Sequence, residues 1–445
     1  MAGLVILAVF HTGWPLWLKL ILAVVVCALA VVTFDDRLAS RWLALAVGNR
    51  RRPEVPHVSE AEVGSVLLPG EDVGVRWEGD DLVALVALNP WAWTPTTVVN
   101  GHAITDDTID TALVEKVLAE AGFDVVADVI SAGWRVARTA PMSVHGWYEQ
   151  SIGLDPAPAF RRSWVLLRVD PKRVWPVSRW RGTDGIAACA SALTAAATRM
   201  AETLSREGVD ARVASSYALF DELTGIAEPV VAQQWSSVRR RSSFTTVFSV
   251  PGGPDKWWSI RADRTVTRTR VVVGQPPRST VALTTVRPIE RDPVGWIRLR
   301  GTQVRALSGD TPVIDEHRRL PIGSAGLLVG NSAEGGSVYV PFDGAECGLQ
   351  YSDPATLVHV AVAAAAAGAT VSLPRGYEAV AAGVGGTVSD QACVQWPGQG
   401  ARTWLVRHQV KQVISLQPRM IALDRSRISL QPLPSRAETA IGIRI

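Results

Sequence analysis

The chain has 445 residues, 47% of them apolar and 20% charged, with a net charge of +3. That is enough for one large or two ordinary cores, and it excludes the disordered and collagen-like classes. The near-balance of charge offers no basic field for nucleic acid. The four cysteines (Cys27, Cys189, Cys347, Cys393) stand far apart with no CxxC pair, which argues against a disulfide framework or a zinc cluster.

Residues 16–34 read LWLKLILAVVVCALAVVTF, interrupted only by Lys19. At 1.5 Å per residue such a run is long enough to cross a hydrocarbon core of about 30 Å. A lysine near one end can snorkel to the headgroups. Residues 4–10 form a shorter apolar run, which cannot span alone, followed by Gly13-Trp14-Pro15. Arg37, Arg41, Arg50, Arg51 and Arg52 crowd the far side, and no basic segment precedes the apolar start. This pattern favours a membrane anchor over a cleaved signal peptide and puts the bulk of the chain in the cytoplasm. Residues 1–52 are thus expected to be an anchor and a juxtamembrane helix over 35–47. That helix either lies in the interface or continues the span. Residues 53–72, with Pro53 and Pro56, read as a linker.

From 73 to 235 strands and helices alternate. Strands are expected over 73–77 and 82–88, around Glu78-Gly79-Asp80-Asp81. Asp106 and Asp107 precede Ile109, Leu113, Val117 and Leu118, which recur at helical spacing, so the pair reads as an N-cap. Further strands are expected over 124–130, 163–169 and 210–214. Ile186, Ala190, Leu193, Ala197, Met200 and Leu204 line one side of a long helix closed by Gly208. This rhythm argues for an α/β layer fold.

From 236 to 425 a β-rich segment leads into a second α/β lobe. Residues 264–272 and 279–286 are rich in valine and threonine, and Arg264, Arg268 and Arg270 share one face. A half-solvated antiparallel sheet is expected there. Glycine turns separate strands over 320–340, and an alanine-rich helix over 354–368 feeds a strand over 369–373. Residues 426–445 read as an unstructured tail. The expected fold class is therefore α/β. An N-terminal transmembrane helix, or a partial hairpin of two, precedes a large cytoplasmic α/β domain carrying a mainly antiparallel β insertion.

The motifs of chemistry are sparse. No glycine is followed by lysine, so there is no P-loop. Gly383-Val384-Gly385-Gly386 misses the GxGxxG spacing because Val388 stands at the third glycine, and it reads as a turn. The seven histidines include no i, i+4 pair, and His145, His359 and His408 read as packed or surface side chains. No GxSxG occurs. Asp106-Asp107 is the one acidic pair placed to hold a divalent metal, as a membrane-tethered, glycosyltransferase-like enzyme would need. Helix capping accounts for the pair fully and is the favoured reading. Arg239, Arg240 and Arg241 read as a solvated loop, and Arg50 to Arg52 as contacts to lipid headgroups. Trp257-Trp258, on a strand, would put one ring in the core and leave the other to anchor an interface. No catalytic, cofactor-binding or metal-binding residue is assigned.

Several stretches together resemble one family. They are PGEDVGVRWEGDDLVALVAL from Pro69, TDDTIDTALVEKVL from Thr105, SAGWRVA from Ser131 and IGLDPAPAFRRSWVLLRVDP from Ile152. PGGPDKWWSIRAD from Pro251, LPIGSAGLLVG from Leu320 and YVPFD from Tyr339 follow. In this order they resemble EccE, a membrane component of the mycobacterial type VII (ESX) secretion system. The likeness is strongest to the virulence- and conjugation-associated branch. The resemblance implies two transmembrane helices and a cytoplasmic α/β domain in an inner-membrane complex with EccB, EccC (its ATPase), EccD and the mycosin protease. It also implies support for the export of small helical-hairpin, WXG-type proteins. It supplies no catalytic residues and no cofactor. The family's first span is represented here only by residues 4–10, so a partial hairpin and a single span both stay open.

Overall fold

The computed structural model describes residues 15–31, 33–34, 37–38, 47, 63–68, 71–78, 80–89, 96–99, 102–137, 140–152, 160–178, 185–215, 230–250, 253–309, 316–322, 326–331, 337–341, 348–351, 354–390, 393–396, 402–405, 413–417, 420–423 and 426–429. The apolar N-terminal run forms helix α1, Leu16–Val31, of 16 residues. At 1.5 Å per residue it is about 24 Å long, short of the ~30 Å of a hydrocarbon core. Among the described residues no helix is long and apolar enough to cross a membrane. The expected span over 16–34 is cut short because Thr33–Phe34 pairs as a two-residue strand with Arg37–Leu38. The helix expected over 35–47 is therefore not formed at Arg37–Leu38. Val47 is helical, and the rest of that stretch lies outside the described residues, as do residues 1–14.

The body is built on one twelve-stranded sheet. Its strands are β1 (Val63–Leu68), β2 (Glu71–Glu78), β3 (Asp81–Asn89), β4 (Val126–Trp134), β5 (Phe160–Val169) and β6 (Asp210–Val213). They continue with β7 (Val230–Gln233), β8 (Val238–Arg240), β9 (Phe244–Ser249), β10 (Arg264–Val272), β11 (Gln275–Thr285) and β12 (Ile297–Arg298). The spatial order is β7-β8-β9-β11-β10-β4-β5-β3-β2-β1, with β6 on β3 and β12 on β9. Every pairing in it is antiparallel.

Two expectations change here. The 53–72 stretch is not all linker: β1 pairs antiparallel with β2, from Val63↔Arg76 to Leu68↔Glu71. The β-rich segment is no insertion, because β10 pairs along β4 from Arg264↔Trp134 to Val271↔Ala127. One sheet therefore crosses the boundary expected at 235/236. The fold remains α/β in content, with a mainly antiparallel sheet.

Helices cover one face of this sheet: α2 (Thr111–Ala119), α4 (Pro171–Ser178) and α5 (Ile186–Arg206), α3 (Met142–Ile152) lying elsewhere. The expected stripe on α5 is buried from Ala190 to Leu204, although Ile186 at its start is exposed. Along β3, Leu82, Ala84, Val86 and Leu88 face these helices, while Val83 and Leu85 join a separate cluster with Trp164 and Leu166. Period-two alternation of apolar residues on both faces makes β3 and β5 central strands.

A second core surrounds the alanine-rich helix. After the short α6 (Gln303–Leu307), α7 (Pro354–Ala366) packs with α3, α8 (Glu378–Val384), Tyr339 and Leu328. Residues 357–367 of this segment are buried except His359, as expected of a helix apolar on all sides. An eight-stranded mixed sheet holds Gly348–Tyr351 between two parallel partners, Arg402–Leu405 and Val413–Gln417. Ser426–Ser429 is its edge strand, so the expected tail begins as structure. Residues 430–445 lie outside the described residues.

Candidate functional site

The sequence landmarks converge at one place on the helix-covered face of the main sheet. Ser163, Ser131 and Thr267 lie side by side on β5, β4 and β10. Two pairings further along, on the same face, Arg161 lies beside Gly133. Arg161 Nε donates to Ser131 Oγ at 2.7 Å and Nη2 donates to the Pro321 carbonyl at 2.5 Å. The Trp258 ring lies under the guanidinium, 4.3 Å from centroid to Cζ, a cation–π distance. Ser163 Oγ is 2.9 Å from Ser131 Oγ and 3.2 Å from the Ile322 carbonyl, so the hydroxyls satisfy one another.

Arg161 is 5% exposed. Among the described residues no carboxylate pairs with it, and burial alone pushes its pKa down to about 9. The side chains enclose a cavity of about 10 Å³, also lined by Trp257, Trp258 and residues 320–322. Both tryptophans are buried, and among the described residues neither indole N–H has a hydrogen-bond partner. Four of the quoted stretches thus supply this cavity: the SAGWRVA, FRRSW, KWWS and LPIG segments. The expectation for Trp257-Trp258 is corrected. The pair follows a 3₁₀ turn at Pro254–Lys256 rather than lying on a strand, so both rings turn inward.

The TDDT stretch docks beside the same place. Asp106 is exposed and Asp107 is buried. The Asp107 carbonyl accepts from Ile322 N at 3.0 Å, and Asp107 N donates to Thr105 Oγ1 at 3.2 Å. Neither caps α2. A strand, Thr108–Asp110, pairs with Arg319–Pro321 and delays the helix. Asp110 is the cap, its Oδ1 accepting from Ala112 N at 2.8 Å. Among the described residues no group of three or more His, Cys, Asp or Glu side chains could hold a metal ion.

The opposite face carries a charge network. Asp128 on β4 has no exposed surface and takes Arg270 Nε at 2.7 Å and Nη2 at 2.9 Å, with Arg268 at 3.5 Å. Burial alone would raise the Asp128 pKa, but Arg268, the Arg270 hydrogen bonds and Arg168 hold it below the ordinary carboxylate range. Arg168 bonds Glu78 and, at 3.1 Å, Asp81. Glu78 is held low in the same way: burial opposes, and Arg168 and Arg268 prevail. The half-solvated sheet expected from Arg264, Arg268 and Arg270 is therefore corrected, since Arg264 and Arg268 are buried. On the neighbouring strand Asp128 pairs with Arg268 and Arg270.

The remaining candidates are structural. Arg240 is buried on β8 with Nε 2.7 Å from Thr245 Oγ1, so the Arg239–Arg241 run is part strand rather than a solvated loop. His359 Nε2 lies 2.8 Å from the Leu328 carbonyl, edge-on to Trp147. Gly385 caps α8 in the left-handed conformation, a tight turn and no dinucleotide loop. Arg50–Arg52 and His408 lie outside the described residues. Sequence reasoning missed Arg161 and Asp128. A signal for the first exists: adjacent Arg161-Arg162 on a strand must point to opposite faces, and one of those faces is covered by helices.

Comparison with known proteins gives a consistent answer. Residues 157–250 match the family model for EccE, described as a "type VII ESX secretion system translocon". The chain is 40% identical over 427 residues to the ESX-1 secretion system protein EccE1 of Mycolicibacterium smegmatis, covering 95% of this chain and 91% of that protein. It is 42% identical to EccE1 of Mycobacterium tuberculosis, covering 92% and 88%. The ESX-2 protein EccE2 of M. tuberculosis is 24% identical over 74% of this chain.

Proposed function

Because the chain belongs to the EccE family of type VII ESX secretion proteins, we propose that it is a structural subunit of the ESX inner-membrane complex. The carrying observation is the near-complete match to ESX-1 EccE1 proteins, over 95% of the chain. In this reading it supports export of small helical-hairpin, WXG-type substrates and catalyses nothing itself. Its neighbours are homologues of EccB, the EccC ATPase, EccD and the mycosin.

The anchor is the N-terminal apolar segment. On α1, Trp17, Leu20, Ile21, Val24 and Val25 are exposed. They recur at the spacing of one helix face, which suits lipid or a neighbouring span. The large body lies on the cytoplasmic side, behind the arginines at 37, 41 and 50–52.

Affinity purification of the tagged chain from membranes solubilised in mild detergent is expected to recover the EccB, EccC and EccD homologues. Migration alone at its own native size would overturn the reading. Replacing Asp106 and Asp107 together by alanine is expected to leave secretion intact. Metal-dependent binding of a sugar nucleotide, abolished by that pair of changes, would instead reveal an enzyme.

A further inference from the structure

We propose that the cavity beside Arg161 is a site for one halide-sized anion. The proposal rests on the donor set and the size of the space, and it is independent of the secretion role. A buried cation needs a counter-charge, and no carboxylate among the described residues supplies one to Arg161. A guanidinium has five N–H donors; two are used, on Ser131 and Pro321. The indole N–H groups of Trp257 and Trp258 are two more buried donors without a partner among the described residues.

Each oxygen lining the cavity, by contrast, already takes part in at least one hydrogen bond. Ser131 receives Arg161, Ser163 reaches Ser131 and Ile322, and Thr267 donates to the Ser131 carbonyl at 3.3 Å. An anion needs donors alone, and unpartnered donors are what the site has in surplus. The space of about 10 Å³ admits one water-sized particle. That excludes phosphate, sulfate and carboxylate and leaves a monatomic anion, for which chloride is the natural choice. Bound there, it would neutralise Arg161 and tie β4 and β5 to residues 257–258 and 320–322.

The test uses the full-length protein in detergent micelles. Its unfolding temperature is followed against sodium chloride, sodium bromide and sodium gluconate at matched ionic strength. A ligand that binds only the folded state raises that temperature in a saturable way. Chloride and bromide are expected to do so, and gluconate is not. Arg161→Gln is expected to abolish the halide response. Should that variant not fold, Trp257→Phe keeps the buried ring but removes one N–H, and is expected to raise the halide midpoint several-fold. Crystals grown in bromide should show an anomalous peak at hydrogen-bond distance from the Arg161 guanidinium. Identical curves in all three salts, an unaltered halide midpoint in Trp257→Phe, or a water in the cavity of bromide-grown crystals would overturn the proposal.

Discussion

Replacing Asp128 by asparagine keeps the shape of the side chain and removes its charge. Arg270 and Arg268 would then face each other across a neutral amide, 2.7 and 3.5 Å from where the carboxylate oxygens lie. Breaking a fully buried ion pair by removing one partner costs about 3–5 kcal/mol, because the surviving charge stays desolvated. For a chain of 445 residues that corresponds to a fall of roughly 3–5 °C in unfolding temperature. Asp124→Asn is the control. Its partner Arg173 is 3.2 Å away, both side chains are more than half exposed, and such surface pairs are worth about 0–1 kcal/mol. Both variants would be compared with the parent by thermal and urea unfolding at neutral pH. The parent should also lose part of its advantage over Asp128→Asn in acid. The Asp128 pKa is depressed on folding, so its contribution is complete above the unfolded value of about 3.9 and disappears as pH falls through the folded value. If Asp128→Asn proves no more harmful than Asp124→Asn, the charge on Asp128 does not stabilise the fold.

Two further outcomes are expected. Burial lowers the His359 pKa below 6.5, against the opposing bond to the Leu328 carbonyl. The unfolded chain therefore takes up a proton that the native state refuses, and stability should fall as pH drops from about 6.5 towards the folded value. Urea midpoints at neutral and mildly acidic pH should show that slope in the parent and a flatter one in His359→Gln; equal slopes would contradict the assignment. Gly386→Ala would place a Cβ 2.4 Å from the Val371 carbonyl oxygen. The contact is with backbone and cannot be relieved by a rotamer, so a loss of about 1–3 kcal/mol in unfolding free energy is expected. An unchanged urea midpoint would show that the strand Thr370–Leu373 yields instead.

The elements most legible in the sequence are those whose signal is periodic and local. The stripe from Ala190 to Leu204 marks α5 because positions three and four apart share a helix face. Valine and threonine over 264–272 mark β10 because branched side chains suit a pleated surface. The alanine run marks α7, and the ordered landmark stretches point to the family without any fold being known. Those same stretches carry the candidate site, yet nothing local shows that Ser131, Arg161, Trp257 and Pro321 meet. Their hydrogen bonds span up to 160 positions, from Arg161 to Pro321.

Local pattern misleads where a neighbour in space intervenes. Asp106-Asp107 looks like a cap, but pairing of Thr108–Asp110 with Arg319–Pro321 moves the helix start to Thr111. Arg264, Arg268 and Arg270 look solvated, but Asp128 waits on the next strand.

By itself, then, the order of residues determined where the chain turns, which side chains share a face, and which family it joins. The burial of Arg161 and Asp128, the order of the sheet, and the meeting of distant landmarks were decided only in three dimensions. The physical reason is one of range: periodicity is set by backbone geometry over a few residues, while charge pairing and burial depend on whatever the tertiary fold brings alongside.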